Sequence, residues 1–182
     1  MGEVRISPVE EWPEDARAAL ERLAGPDGAV PSVFTTLARH PHLFNRWLGL
    51  GNHVLNASTL PARTRELVIL RTAARTGAAY EWAHHTVIGR RAGLTDEEIA
   101  RIASGEASGW AATDLSVLRA VDELHETSHV SDATWSELAR TWEPEQLMDL
   151  VMTTGFYTMT AMALNAFGVA VEPGFEEPGP RA

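Results

Sequence analysis

Residues 150–171, LVMTTGFYTMTAMALNAFGVAV, run without a single charged side chain. A stretch of that length could cross the hydrocarbon of a bilayer. It nevertheless holds Thr153, Thr154, Thr158, Thr160 and Asn165, and it is bracketed by Asp149 and Glu172, where a membrane span would carry Lys or Arg anchors. A helix that is apolar on nearly every side is otherwise buried in a protein core or between subunits. The remainder of the chain has to be built around it.

That remainder reads as helices separated by clear breakers. Pro13 opens a helix over residues 13–24, which Gly25, Pro26, Asp27 and Gly28 terminate. Further helices are expected over 32–40, 41–56, 61–77 and 78–92, punctuated by Pro41, Pro61, Gly77 and Gly93. Thr95 with Glu98 three residues later forms a capping box for a short helix to about residue 103. Residues 105–112 read as loop, Thr113 caps a helix to 128, Ser131 caps one to 142, and Pro144 opens the long apolar helix. No segment alternates as a half-buried strand would. At 182 residues the chain is expected to form one all-α helical bundle over 13–171, with a flexible N-terminus (1–12) and a disordered tail (172–182).

Composition narrows the function. A net charge of −10 repels polyanions, so neither nucleic acid nor an anionic membrane surface is an expected partner. The chain contains no cysteine, which excludes disulfides, thiolate metal sites and thiol catalysis in this chain. The opening residues MGEVRISPVEEWPED carry no apolar leader core, so a cytoplasmic location is expected.

Chemistry should lie where polar side chains interrupt apolar helix faces. On the helix over 61–77, Glu66 falls at the centre of an apolar arc made by Leu67, Ile69, Leu70, Ala73 and Ala74. Thr64, Arg65, Arg71, Thr72 and Arg75 occupy the opposite side. A buried carboxylate must find partners or take up a proton. On the next helix, Glu81 and His85 stand one turn apart on the apolar face, within reach of a mutual hydrogen bond. A carboxyl beside a histidine in a poorly solvated pocket suits general acid–base work near neutral pH. Structural ion pairing explains the same residues equally well at this level. Tyr80 and His84 fall at the edge of that face, and His125 lies within the apolar arc of the helix over 113–128. These three are candidates for substrate binding, with packing and core hydrogen bonding as the alternatives.

The segment LPARTRELVILRTAARTGAAYEWAHHTVIGRRAGLTDEEI resembles the carboxymuconolactone decarboxylase family, which includes the alkylhydroperoxidase D proteins. The peroxidase branch carries Glu, eleven residues, Cys, two residues, Cys, three residues, His. That spacing lands here on Glu66, Ala78, Glu81 and His85, so both cysteines are replaced. The resemblance extends over roughly residues 30–170, through VPSVFTTLARHP, VDELH and SDATW, and implies a bundle of the alkylhydroperoxidase D-like type.

The resemblance implies activity closer to the decarboxylase branch, which uses no metal or organic cofactor. A small lactone or enolisable carboxylic acid would be decarboxylated, isomerised or hydrolysed, with Glu66, Glu81 and His85 catalytic. Glu81 or His85 would supply the proton, and Glu66 would orient His85 and fix its tautomer. Arg39 or His40 could meet a substrate carboxylate. The resemblance also implies a homo-oligomer, a trimer or hexamer, with a dimer possible. The uncharged stretch and six tryptophans point independently to association. Two other classes stand beside this reading. One is a non-catalytic oligomer of the same fold. The other is a metal site using the Glu-x-x-His pairs Glu81/His84 and Glu126/His129, although the second pair faces largely outward. No metal ligands are assigned.

Overall fold

The computed structural model describes residues 3–175. Every regular element among them is helical. In chain order these are α1 (Glu14–Leu23), α2 (Ser32–Leu37), α3 (Pro41–Asn52), a π-helical turn (His53–Ala57), α4 (Ala62–Thr76), α5 (Ala79–Arg91), α6 (Asp96–Ser104), α7 (Ala112–Thr127), α8 (Asp132–Leu138) and α9 (Pro144–Phe167). The all-α expectation holds among the described residues.

α4 is the axle of the bundle. It packs against α5, α6, α7 and α9, and every side chain from Glu66 to Ala73 is buried. The sequence placed Arg71, Thr64 and Thr72 on a polar face, but α4 has no solvent face along this length. Arg71 donates to both carboxylate oxygens of Asp122 on α7 (2.7 and 2.8 Å) and to the Ile102 carbonyl (2.8 Å). The Thr72 hydroxyl donates to the Val68 carbonyl of its own helix (2.8 Å). Fully partnered polar groups of this kind are tolerated in a core.

α9 lies along α4, and three of its four threonines find the same local solution, while the buried Thr153 hydroxyl has no partner. Thr154, Thr158 and Thr160 donate to the carbonyls four residues back, at 2.8–2.9 Å. By length and composition α9 could cross a membrane, but 56% of its apolar window is buried inside the fold. Its outer side carries exposed Met148, Met152, Met159 and Met162 (67, 49, 50 and 66% exposed). α3 approaches α9 at Gly51, where a side chain would meet the Phe156 ring at 3.1 Å. Gly168 ends α9 in the left-handed region (φ +69°), and a Cβ there would sit 2.2 Å from the Glu3 carbonyl oxygen.

The last contact corrects the expectation of a flexible N-terminus. The Arg5 and Ile6 amides donate to the Phe167 carbonyl (2.9 and 3.1 Å), the Val9 amide donates to that of Thr35 (3.0 Å), and Trp12 packs on the α1/α3 cluster. In the expected tail, Glu172 reaches α2 and α5 and Phe175 stacks on α5. Residues 1–2 and 176–182 lie outside the described residues. α2 stops at Leu37 rather than at His40. His40 instead accepts from the Leu43 amide as the cap of α3, and Arg39 donates to the Ser7 and Pro8 carbonyls. Both side chains are therefore engaged in structure rather than presented to a substrate.

Candidate active site

A cavity of about 860 Å³ opens between α1, α3, α5 and α9, within the size range of small-molecule sites. Trp47, Leu48, Ile88 and Phe156 form apolar walls, and Tyr80, Glu81, His84, His85 and Tyr157 line it as well. Trp47 is fixed in place: its ring stacks on Phe156 (centroids 5.3 Å apart) and its indole N–H donates to the Thr160 hydroxyl (3.1 Å).

Glu66 lies behind this wall, with no exposed surface. Its Oε2 is 2.7 Å from His85 Nδ1, and its Oε1 accepts from Arg65 Nε at 3.0 Å. A carboxylate can only accept, so Nδ1 carries the proton of that bond. In the neutral ring this leaves the lone pair on Nε2. Nε2 has no protein partner among the described residues, and the ring lines the cavity.

Glu81 is 3% exposed, and neither of its oxygens has a partner. Burial pushes its carboxyl well above the usual carboxylate range, so it holds its proton. The bond between Glu81 and His85 that their spacing allows is not formed, because Glu66 takes His85 across the α4/α5 interface instead. The outcome is a protonated acid and an open imidazole nitrogen on successive turns of one helix.

Tyr157, on α9, was not found by sequence reasoning. Its ring packs edge-on against His85 (5.0 Å, 89°) and lines the cavity. Burial first, then the nearby Glu66, pushes its phenol up, so it remains a hydroxyl donor. The available signal was a lone phenol within the uncharged stretch, four residues from Thr153 and three from Thr160.

Tyr80 and His84 meet at Glu172. Glu172 accepts from the Tyr80 hydroxyl (2.8 Å) and the Ser32 amide, and pairs with His84 Nε2 (2.7 Å). Phe175 stacks on the His84 ring at 4.1 Å. Burial opposes the charge on Glu172, but the bonds from His84, Ser32 and Tyr80 outweigh it and hold its carboxyl down at about 2. Burial and the Glu172 charge push the Tyr80 phenol up. Tyr80 and His84 therefore border the cavity with the phenol oxygen and the Nε2 nitrogen already engaged. His125 is exposed on α7 and does not reach the cavity.

The structure thus brings Glu66, Glu81, His85, Tyr80 and His84 together and leaves His125 outside. Among the described residues no three His, Asp or Glu side chains gather as a metal-ligand set. Glu126 accepts from Arg75, and His129 is exposed.

Residues 41–123 match the sequence pattern of the carboxymuconolactone decarboxylase family. No curated protein matches the chain in sequence. Among solved structures, the alkylhydroperoxidase AhpD core of an uncharacterized peroxidase-related protein from Ralstonia eutropha JMP134 superposes with a TM-score of 0.83 at 21% identity, covering 96% of each chain. A peroxidase-related protein from Silicibacter sp. TM1040 gives 0.81 at 14% identity, again covering 96% of both. A cysteine-to-alanine variant of the debrominase Bmp8, solved with 2,3,4-tribromopyrrole, gives 0.77 at 16% identity, over 96% of this chain and 95% of that one.

The protonated state of Glu81 has a measurable consequence. The folded state keeps a proton that the unfolded chain releases above about 4.5, so Glu81 lowers stability as pH rises past that value. Glu81→Gln removes the penalty while keeping the shape. Urea denaturation should show no difference between the two proteins near pH 4. Above about pH 4.5 a gain for the variant should grow by roughly 1.4 kcal/mol per pH unit until Glu81 ionises in the folded state. Parallel stability curves from pH 4 to 8 would contradict this.

Proposed function

We propose that the protein, whose residues 41–123 match the carboxymuconolactone decarboxylase family pattern within an alkylhydroperoxidase D-type fold, is a general acid–base enzyme that moves protons on a small lactone or related enolisable carbonyl compound. The observation that carries the reading is Glu81, a partnerless protonated carboxyl one helical turn from the unpartnered Nε2 of His85.

The two groups have complementary roles. His85 Nε2 takes a proton from the carbon next to the substrate carbonyl, and the C–H electron pair becomes the new C=C bond. The carbonyl oxygen takes the Glu81 proton as its π bond gives way, which leaves a neutral enol, an imidazolium and the Glu81 carboxylate. Return of the imidazolium proton to a different carbon, with Glu81 recovering the enol proton, completes an isomerisation. Decarboxylation shares the second half of this cycle, in which an enol or enolate is protonated at carbon. Glu66 holds the Nδ1–H tautomer and faces the imidazolium when it forms, while Arg65 balances the Glu66 charge. Thiol peroxidase chemistry is not available to a chain without cysteine.

Self-association belongs to the same reading. Met148, Met152, Met159 and Met162 place an apolar stripe on the outer side of α9, the kind of surface that a second copy covers. Light scattering should report an oligomer, and the double change Met152→Lys with Met159→Lys should shift it toward monomer. A wild-type monomer at all concentrations would contradict self-association.

Activity is tested on a panel of lactones and β-keto compounds, with solvent deuterium entering the recovered substrate as a second readout. Glu81→Gln and His85→Ala should each slow turnover and exchange by at least about 100-fold. Unchanged exchange in both variants would refute the assignment.

A further inference from the structure

We infer that the ligand of the cavity is an uncharged cyclic carbonyl compound rather than a carboxylate anion, an inference that rests on the acid–base reading of Glu81 and His85 and narrows it to one class of substrate.

The argument begins from the charges around the inner end. The Glu66 carboxylate lies directly behind His85, and its own counter-charge is Arg65, at 3.0 Å. That guanidinium is already engaged by the carboxylate. The second carboxyl belongs to Glu81, a residue of the cavity lining, and is a buried, partnerless neutral acid. The cation-capable group on the far wall, His84, is paired with Glu172, and the Tyr80 hydroxyl donates to the same carboxylate. An entering anion would therefore have no unengaged fixed cation to meet at the reacting end. It would instead approach two acidic side chains through walls made by Trp47, Leu48, Ile88 and Phe156. Burying an anion under those conditions is costly.

A neutral carbonyl compound meets the opposite situation. Its oxygen can accept from the Glu81 carboxyl, which has no protein partner, and the Tyr157 hydroxyl on the adjoining wall is a second donor. Its acidified C–H faces His85 Nε2. Its ring can lie against the Trp47/Phe156 stack, which favours a flat or cyclic body. No net charge enters or leaves the site during the enolisation step, which suits a cavity whose inner end is already balanced.

Arg22 is the single Arg or Lys among the described lining residues. It sits on α1 and is exposed, so its charge is screened by solvent. It is the one feature that could instead recruit an anion, and for that reason the test includes it.

The test uses the wild-type protein and two probes of the same shape, coumarin-3-carboxamide and coumarin-3-carboxylate, which differ in charge. Titration calorimetry at pH 7.5 should give the carboxamide at least about 10-fold tighter binding, a difference of about 1.4 kcal/mol. Tyr157→Phe and Trp47→Leu should each weaken carboxamide binding, and Arg22→Ala should leave it unchanged. Equal or tighter binding of the carboxylate, lost in Arg22→Ala, would overturn the inference, as would failure of both probes to bind. The outcome is separable from that of the enzymatic reading. A preference for the carboxamide without turnover on the panel would sink the enzyme and keep the ligand class. A preference for the carboxylate with His85-dependent turnover would do the reverse.

Discussion

The hydrogen bond between Glu66 and His85 connects the fold to its chemistry. Glu66 is placed without solvent contact at the middle of the one helix that the rest of the bundle surrounds. A carboxylate in that position is costly unless its oxygens are occupied, and each has one partner: Arg65 on its own helix and His85 on the next. The bond crosses the α4/α5 interface, so it fixes both the packing of the two helices and the orientation of the imidazole. Once Nδ1 is committed inward, Nε2 is the nitrogen left for the cavity. Glu81, one turn earlier on α5, shares the buried face but has no partner, and neutralises itself by keeping its proton. Two buried carboxyls on adjoining helices thus differ in that one is paired and the other is not.

Much of this was legible from spacing alone. Glu66, Glu81 and His85 stand out because they break apolar faces, and the structure buries all three at adjoining positions. The Pro and Gly breakers placed most helix ends, since those residues act through their own backbone. The failures came from contacts between distant segments. A helical wheel of α4 separates one apolar arc from a polar remainder, but a helix enclosed by four others has no polar remainder, and Arg71 is resolved only by Asp122, which lies 51 residues away. His125 fell inside an apolar arc yet stands exposed in the last turn of α7. Arg39 and His40 are consumed by backbone partners in the N-terminal segment and in α3. Tyr157 was hidden for the opposite reason: in an uncharged helix a phenol reads as packing, and its neighbours Glu66 and Glu81 come from other elements.

Glu172 shows how far a single side chain can revise a boundary read from composition. The segment following α9 is rich in Pro, Gly and Glu, a composition that signals disorder. One of those glutamates nevertheless reaches the N-terminus of α2 and two side chains of α5, and Phe175 closes over His84. The wall of the cavity is therefore completed by residues that composition assigned to the tail. The replacement of both peroxidase-type cysteine positions, by Ala78 and Glu81, belongs in the same frame. At the second of those positions Glu81 lines the cavity.

The central claim is that Glu81 is a neutral acid in the same cavity lining as an open His85 nitrogen, and infrared difference spectroscopy addresses it most directly. Subtracting the spectrum of Glu81→Gln from that of the wild type at neutral pH isolates the Glu81 carboxyl. The account predicts a protonated C=O stretch that downshifts in D2O, persists at neutral pH and gives way to carboxylate bands only under alkaline conditions. Carboxylate bands at neutral pH, with no protonated stretch, would contradict it.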